Sequence, residues 1–148
     1  MIRVATRSDI PVIFKMLRHY RDAGGIKQYA DFDEEETPRN IMTYIFAGAG
    51  IALLNQTTSG LVDGMLLAIK TPHLWNNTQF VLSEICYWVE PAARGGRTGY
   101  RLLQRYCELG DELKESGQIT HYTLSQMAGT SLNYSRFGFT ETESTWSQ

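Results

Sequence analysis

The chain has 148 residues, a formal net charge of −2 and 43% hydrophobic residues, with a pI near 5.9. That length accommodates one domain with a sizeable core, and the charge balance offers no global attraction to nucleic acid or to an anionic membrane. No apolar run approaches the roughly 20 residues that span a bilayer, and the polar start MIRVATRSDI is no signal peptide, so a cytoplasmic location is expected.

Residues 2–6 predict a short first strand. Ser8 or Asp9 then caps a helix with Ile10, Ile13, Phe14 and Leu17 on one face, Pro11 being tolerated in the first turn. Gly24-Gly25 stops it. Asp31, Asp33, Glu34, Glu35 and Glu36 form an acidic run ahead of a second helix, for which Thr37 is the expected cap, Pro38 lies in the first turn, and Ile41, Tyr44 and Ile45 point inward. As solvated charges these carboxylates favour the positive end of that helix.

Gly48 and Gly50 end the second helix. Residues 51–54 and 61–69 read as the two strands of a hairpin around a turn at 57–60. Residues 71–77 read as a loop in which His73 and Trp75 either line an acceptor pocket or cover the edge of the core. A long strand follows over 79–90, rich in β-branched and aromatic residues at Ile85, Tyr87, Trp88 and Val89.

Around the end of that strand, in residues 83–103, the chain carries its clearest functional signal. Pro91 stops the strand, Arg94-Gly95-Gly96-Arg97-Thr98-Gly99 follows, and a helix over 98–115 then carries Leu102, Leu103, Tyr106, Leu109 and Leu113 on one side. Glycines allow tight turning and close backbone approach, and free N–H groups at a helix start favour a phosphate. With Arg94, Arg97 and Arg101 adding positive charge, the turn fits a phosphorylated cofactor; the bland reading is a plain strand-to-helix turn. Gly117 ends the helix, and a strand over 119–124 implies a parallel pair with a right-handed crossover. A last strand is expected from the end of the Gly138-Phe139 segment to about Trp146.

The sequence VEPAARGGRTGYRLL resembles the acyl-CoA-binding motif of the GNAT acyltransferases, in which a strand ending Val-x-Pro leads into Arg/Gln-x-x-Gly-x-Gly/Ala and a helix. Arg94, Gly95 and Gly99 match it, while Arg97 stands where the inner glycine is usual and Gly96 precedes it. The Pro-x-x-Arg-Gly-Gly variant is similar to GNAT proteins encoded by tailed phages. Tyr134 with Gly138-Phe139 resembles the family's second motif, Tyr-x-x-x-Gly-Phe, although Ser125-Gln126-Met127 occupies the place of the customary asparagine. The resemblance runs from Ile2 to Phe139. It implies a single α/β (α+β) domain over residues 1–148, with a mixed, mostly antiparallel sheet flanked by helices and a splayed parallel strand pair around an acyl-CoA site.

The resemblance also implies acetyl-CoA as cosubstrate. It would be held by the loop at Arg94, Gly95, Gly96, Arg97, Thr98 and Gly99, by backbone N–H groups around Trp88 and Val89 that polarise the thioester carbonyl, and by Tyr134. Tyr134 is the implied acid for the departing thiolate, against a simple packing role. Glu84 is the candidate base. Uninterrupted strand alternation puts it on one face with Cys86, Trp88 and Glu90, where apolar neighbours would raise its pKa, and some GNAT enzymes place a glutamate in such a Glu-Ile-x-Phe/Tyr strand. Its alternative is an edge carboxylate facing solvent or an arginine. Past the loop joining the first two helices, the acidic run could attract a cationic acceptor.

Cys86 and Cys107 read as free thiols in apolar surroundings, with no histidine partner to make Cys86 a nucleophile. His19, His73 and His121 show no ligand spacing with them, and no metal is expected. The expected activity is acetyl transfer from acetyl-CoA by direct attack of an amine, borne by a small molecule or a protein. A non-catalytic GNAT-fold binding or phage structural module is the rival, favoured by Arg97 and the missing asparagine. A nucleotide-binding loop is disfavoured, because no Gly-Lys-Ser/Thr run follows the glycines. Acceptor identity and oligomeric state stay open, a homodimer included.

Overall fold

The structure, a computed structural model, describes residues 1–23, 33–126 and 132–143. Five strands form one sheet in the order β1-β2-β3-β4-β5: β1 (Ile2–Val4), β2 (Ile51–Gln56), β3 (Val62–His73), β4 (Asn76–Val89) and β5 (His121–Thr123). Every neighbouring pair is antiparallel except β4 with β5, which run parallel. The expectation of a mixed, mostly antiparallel sheet with one parallel pair is met. Helices α1 (Ile10–Asp22), α2 (Glu36–Ile41) and α3 (Thr98–Glu115) complete the layers. Helix α3 has the bounds its apolar spacing predicts.

Two clusters fill the two faces of the sheet. Ile13 and Met16 of α1 and Ile41 of α2 pack with Leu54, Met65, Leu67, Cys86 and Trp88. Leu102, Leu103 and Tyr106 of α3 pack with Leu53, Leu66, Ala68 and Leu82. Nearly all are fully buried, and each such aliphatic side chain stabilises the fold by about 1.5–3 kcal/mol.

Several local expectations are corrected. The first helical run begins a turn early, at Arg7–Asp9. Asp9 does not cap α1 through its side chain; its Oδ2 accepts from the Thr6 N–H at 2.8 Å, and its other oxygen pairs with Arg3 at 2.7 Å. The arginine accordingly holds the Asp9 carboxyl well below its ordinary range. Thr37 does not cap α2, which already begins at Glu36. Asp33 does so instead, accepting from the Glu35 and Glu36 amides at 2.8 and 2.6 Å, and these bonds lower its pKa.

The segment 71–77 is largely strand rather than loop. Thr71, Pro72 and His73 extend β3 and pair with β4, leaving Leu74-Trp75 as the turn. Pro72 is tolerated because β2 pairs β3 only as far as Ala68, so this end of β3 has an open edge. Trp75 is 89% exposed, so it does not cover the core, and it is not among the residues lining the groove described below. Residues 140–143 are not in a strand. The rest of that predicted strand, the Gly24-Gly25 stop, Asp31 and Met127 lie outside the described residues.

Candidate active site

The site originates in a mismatch of strand lengths. Strand β4 runs on to Val89, but β5 pairs with it only at Val81, Leu82 and Ser83. Beyond Ser83 the strands part. Tyr106 of α3, fully buried, bridges them where they part: its hydroxyl lies 2.9 Å from the Thr123 carbonyl and 3.3 Å from that of Leu82. The edge of β4 past this point has no strand partner among the described residues. Glu90 N–H donates to the Asp63 carbonyl on the β3 side at 2.9 Å. Alternation therefore turns the amides of Val89 and Tyr87 toward the open edge and that of Trp88 toward β3.

A β-bulge sets the side chains here. Cys86 pairs with Leu67 and Glu84 with Ala68, so Ile85 has no partner in β3. Leu67 belongs to the cluster under α1, whereas Ala68 belongs to the one under α3. Strand alternation thus changes phase at Ile85, and Glu84 does not share a face with Cys86 and Trp88. It shares the α3 face with Leu82 and Tyr87. The apolar surroundings expected of Glu84 are nonetheless present. Only 6% exposed, its carboxyl is pushed by burial from an ordinary 4.5 up to about 7, against the opposing hydrogen bond from the Ser125 N–H. That bond measures 3.0 Å.

Tyr134 opens a short 3₁₀ turn, Tyr134–Phe137, in which Asn133 accepts from the Ser135 N–H and Gly138 adopts φ +83° to end the turn. Its hydroxyl donates to the Ser125 carbonyl at 3.2 Å. Burial, followed by the nearby Glu84 charge, pushes its pKa up to about 12.

Glu84 and Tyr134 line one groove of about 680 Å³, together with Tyr20, Trp88, Val89, Arg94, Gly95, Gly96 and Gly99. The Arg94 Nε donates to the Val89 carbonyl at 2.9 Å, and its guanidinium lies 4.5 Å above the Trp88 ring. Gly95, at φ +81°, takes the left-handed conformation that glycine allows, with open space around it. A Cβ on Gly99 would come within 2.4 Å of the Tyr87 hydroxyl, so the helix start and β4 meet there through the absence of a side chain.

Arg97 is exposed and sits at φ −94°, ψ −3°, which any residue adopts, so this turn does not need a glycine at that position. Thr98 is turned inward: its hydroxyl lies 3.3 Å from Asn55 Nδ2, which also donates to Asp63 at 2.6 Å. Neither Arg97 nor Thr98 is among the residues that line the groove.

No side chain caps the start of α3, and the first-turn amides of a helix lack intrahelical partners. With Arg94 alongside, the arrangement suits a phosphate group. Cys86 is buried, its thiol pKa raised well above the ordinary value by burial, and it is unsuited to nucleophilic attack. Among the described residues no cluster of three or more His, Cys, Asp or Glu could hold a metal ion, and no helix is long and apolar enough to cross a membrane.

Sequence reasoning did not single out Tyr20 or Tyr87 as groove residues, and noted Ser125 only as standing near the place of the customary asparagine. Ser125 contributes through its backbone, and Tyr20 comes from a distant helix and carries no motif. The alternation along β4 would have offered Tyr87 only if the bulge had been foreseen.

Protein-family models yield no match to the sequence, and a search of curated proteins yields none either. Solved structures do match in fold. A predicted acetyltransferase from Clostridium acetobutylicum, solved with acetyl-CoA, is 19% identical with a TM-score of 0.76, covering 100% of this chain and 94% of its own. A transcriptional regulator from Bacillus halodurans C-125 gives 20% identity and a TM-score of 0.73 over 100% and 97% of the two chains. A ribosomal-protein-alanine N-acetyltransferase from Brucella melitensis biovar Abortus 2308 gives 13% and 0.70, over 100% and 98%. At these identities the likeness establishes the fold, and that fold is the one shared by GNAT acetyltransferases.

Proposed function

We propose that this protein is an N-acyltransferase that moves an acetyl group from acetyl-CoA to an amine. The observation that carries the reading is the convergence of Glu84, Tyr134 and the uncapped start of α3 on one groove at the point where β5 leaves β4. Acetyl-CoA supplies an activated thioester. The amides of Gly95, Gly96 and Gly99 and the Arg94 guanidinium hold its phosphates, and the open-edge amides of Val89 and Tyr87 are positioned to donate to the carbonyl oxygen as charge develops on it.

Glu84 takes one proton from the incoming ammonium, for which a pKa near 7 is well matched at neutral pH. The amine lone pair then forms the C–N bond as the C–S bond breaks. Tyr134 donates a hydrogen bond to the departing sulfur. With a pKa near 12 its phenol stays protonated through the neutral range. Full donation to a thiolate of pKa about 8.5 is uphill, so the bond stabilises the sulfur first. The phenol proton passes to the sulfur only as water delivers the second nitrogen proton to the phenol oxygen, so the free thiol leaves and the phenol is restored.

A non-catalytic module of the same fold is the second reading, favoured by the missing asparagine near Ser125 and by the likeness to the B. halodurans regulator. Thiol release from acetyl-CoA, measured across a panel of primary amines, separates the two. Release that requires an amine supports the transferase, whereas acetyl-CoA binding without release to any amine supports the module.

A further inference from the structure

Resting on the transferase reading, we propose that the acceptor is a monoamine with an apolar or aromatic body, seated on Ile85, Leu132 and Tyr20 with its nitrogen at Glu84. The bulge in β4 expels Ile85 from the ladder and leaves it 47% exposed, and Leu132 is 44% exposed. Both line the groove with Glu84, and Tyr20 lines it from α1. Large apolar side chains held open to solvent in a concave site are a recognition surface rather than leftover core. With the glycines and Arg94 assigned to the phosphates, the apolar lining at Ile85 and Leu132 is left for the acceptor that meets Glu84.

Charge narrows the class. Glu84 is the one carboxylate among the described lining residues. The acidic run does not add to it: Asp33 caps α2 and Glu34 pairs with Arg18, and none of the described carboxylates of the run lines the groove. One ammonium therefore finds a partner at Glu84. A second, carried by a polyamine or an aminoglycoside, would meet Ile85 and Leu132 with no further carboxylate among the described lining residues. At the groove itself, the described lining selects a single charge on an apolar body.

The test compares 2-phenylethylamine and isoamylamine with spermidine and kanamycin by thiol release, alongside calorimetric binding of acetyl-CoA. The apolar monoamines are expected to show kcat/KM about tenfold or more above the polycations, within the range apolar pocket contacts provide. Ile85→Asp, or independently Leu132→Asp, should lower the monoamine value about tenfold and narrow the gap to spermidine, with acetyl-CoA affinity unchanged. Both positions are exposed, so folding is not at stake. Equal or better use of the polycations, or a preference untouched by both variants, overturns the acceptor assignment while leaving the transferase standing. Absence of acetyl-CoA binding overturns the transferase and this assignment with it.

Discussion

Glu84 and Tyr134 both hydrogen-bond the backbone of one residue: the Ser125 N–H donates to the Glu84 carboxylate at 3.0 Å, and the Ser125 carbonyl accepts from the Tyr134 hydroxyl at 3.2 Å. Ser125 lies just past the end of β5, on the segment that swings away from β4. The proposed base and the proposed sulfur partner are thereby held at one opening in the sheet, although 50 positions separate them in the chain.

Tyr134→Phe removes the hydroxyl but keeps the ring that packs near Phe139. Turnover is expected to fall about a hundredfold, the usual contribution of one positioned acid, with acetyl-CoA affinity and thermal stability nearly unchanged. Steady-state kinetics and calorimetry check this. Unaltered turnover would leave Tyr134 as a packing residue.

Glu84 must be ionised to accept a proton, so kcat/KM should rise with pH through about 7 in the wild type. Glu84→Gln keeps the shape and still accepts the Ser125 N–H, but it cannot take the proton. Its rate should be low at neutral pH and recover in part at high pH, where solvent deprotonates the amine. An equal loss at every pH would instead assign Glu84 to acceptor binding.

The same carboxyl makes a stability prediction. Its folded pKa, about 7, lies above its ordinary 4.5. The native state therefore binds this proton more tightly than the unfolded chain, and the associated stability is complete below about 4.5 and lost as pH rises through about 7. Glu84→Gln does not titrate and should gain on the wild type over that window, by up to about 3 kcal/mol above pH 8. Chemical denaturation at pH 5 and pH 8.5 measures the difference; no change in the gap would mean the carboxyl is not desolvated.

Gly99→Val drives a β-branched side chain into the Tyr87 hydroxyl, where even a Cβ would be 2.4 Å away. Overpacking of this kind costs about 1–3 kcal/mol. Adding Tyr87→Ala should restore much of the stability in denaturant titration. Acetyl-CoA binding should stay weak in both, because the valine still blocks backbone approach; full recovery of binding would remove Gly99 from the phosphate site.

Much of this arrangement is legible in the sequence because it rests on local signals. The apolar spacing of Leu102, Leu103, Tyr106 and Leu109 marks α3, Pro91 marks the end of β4, and the glycines mark the turn between them. The bulge at Ile85 is not legible, since no residue in Ser83-Glu84-Ile85-Cys86 signals one, and its effect on side-chain phase decides which face Glu84 occupies. The Leu74-Trp75 hairpin turn is hidden for a related reason: it contains neither glycine nor asparagine at its centre. Contacts such as Asn55 with Thr98 depend on partners more than 40 residues apart and leave no mark in local patterning.

Titration calorimetry with acetyl-CoA tests the central claim most directly, before any acceptor is known. Binding is expected at low salt, weakening as salt rises because Arg94 and the start of α3 meet phosphates, and weakening further in Arg94→Ala, which loses the guanidinium poised over Trp88. Wild-type protein that takes up no acetyl-CoA at low salt would contradict the account.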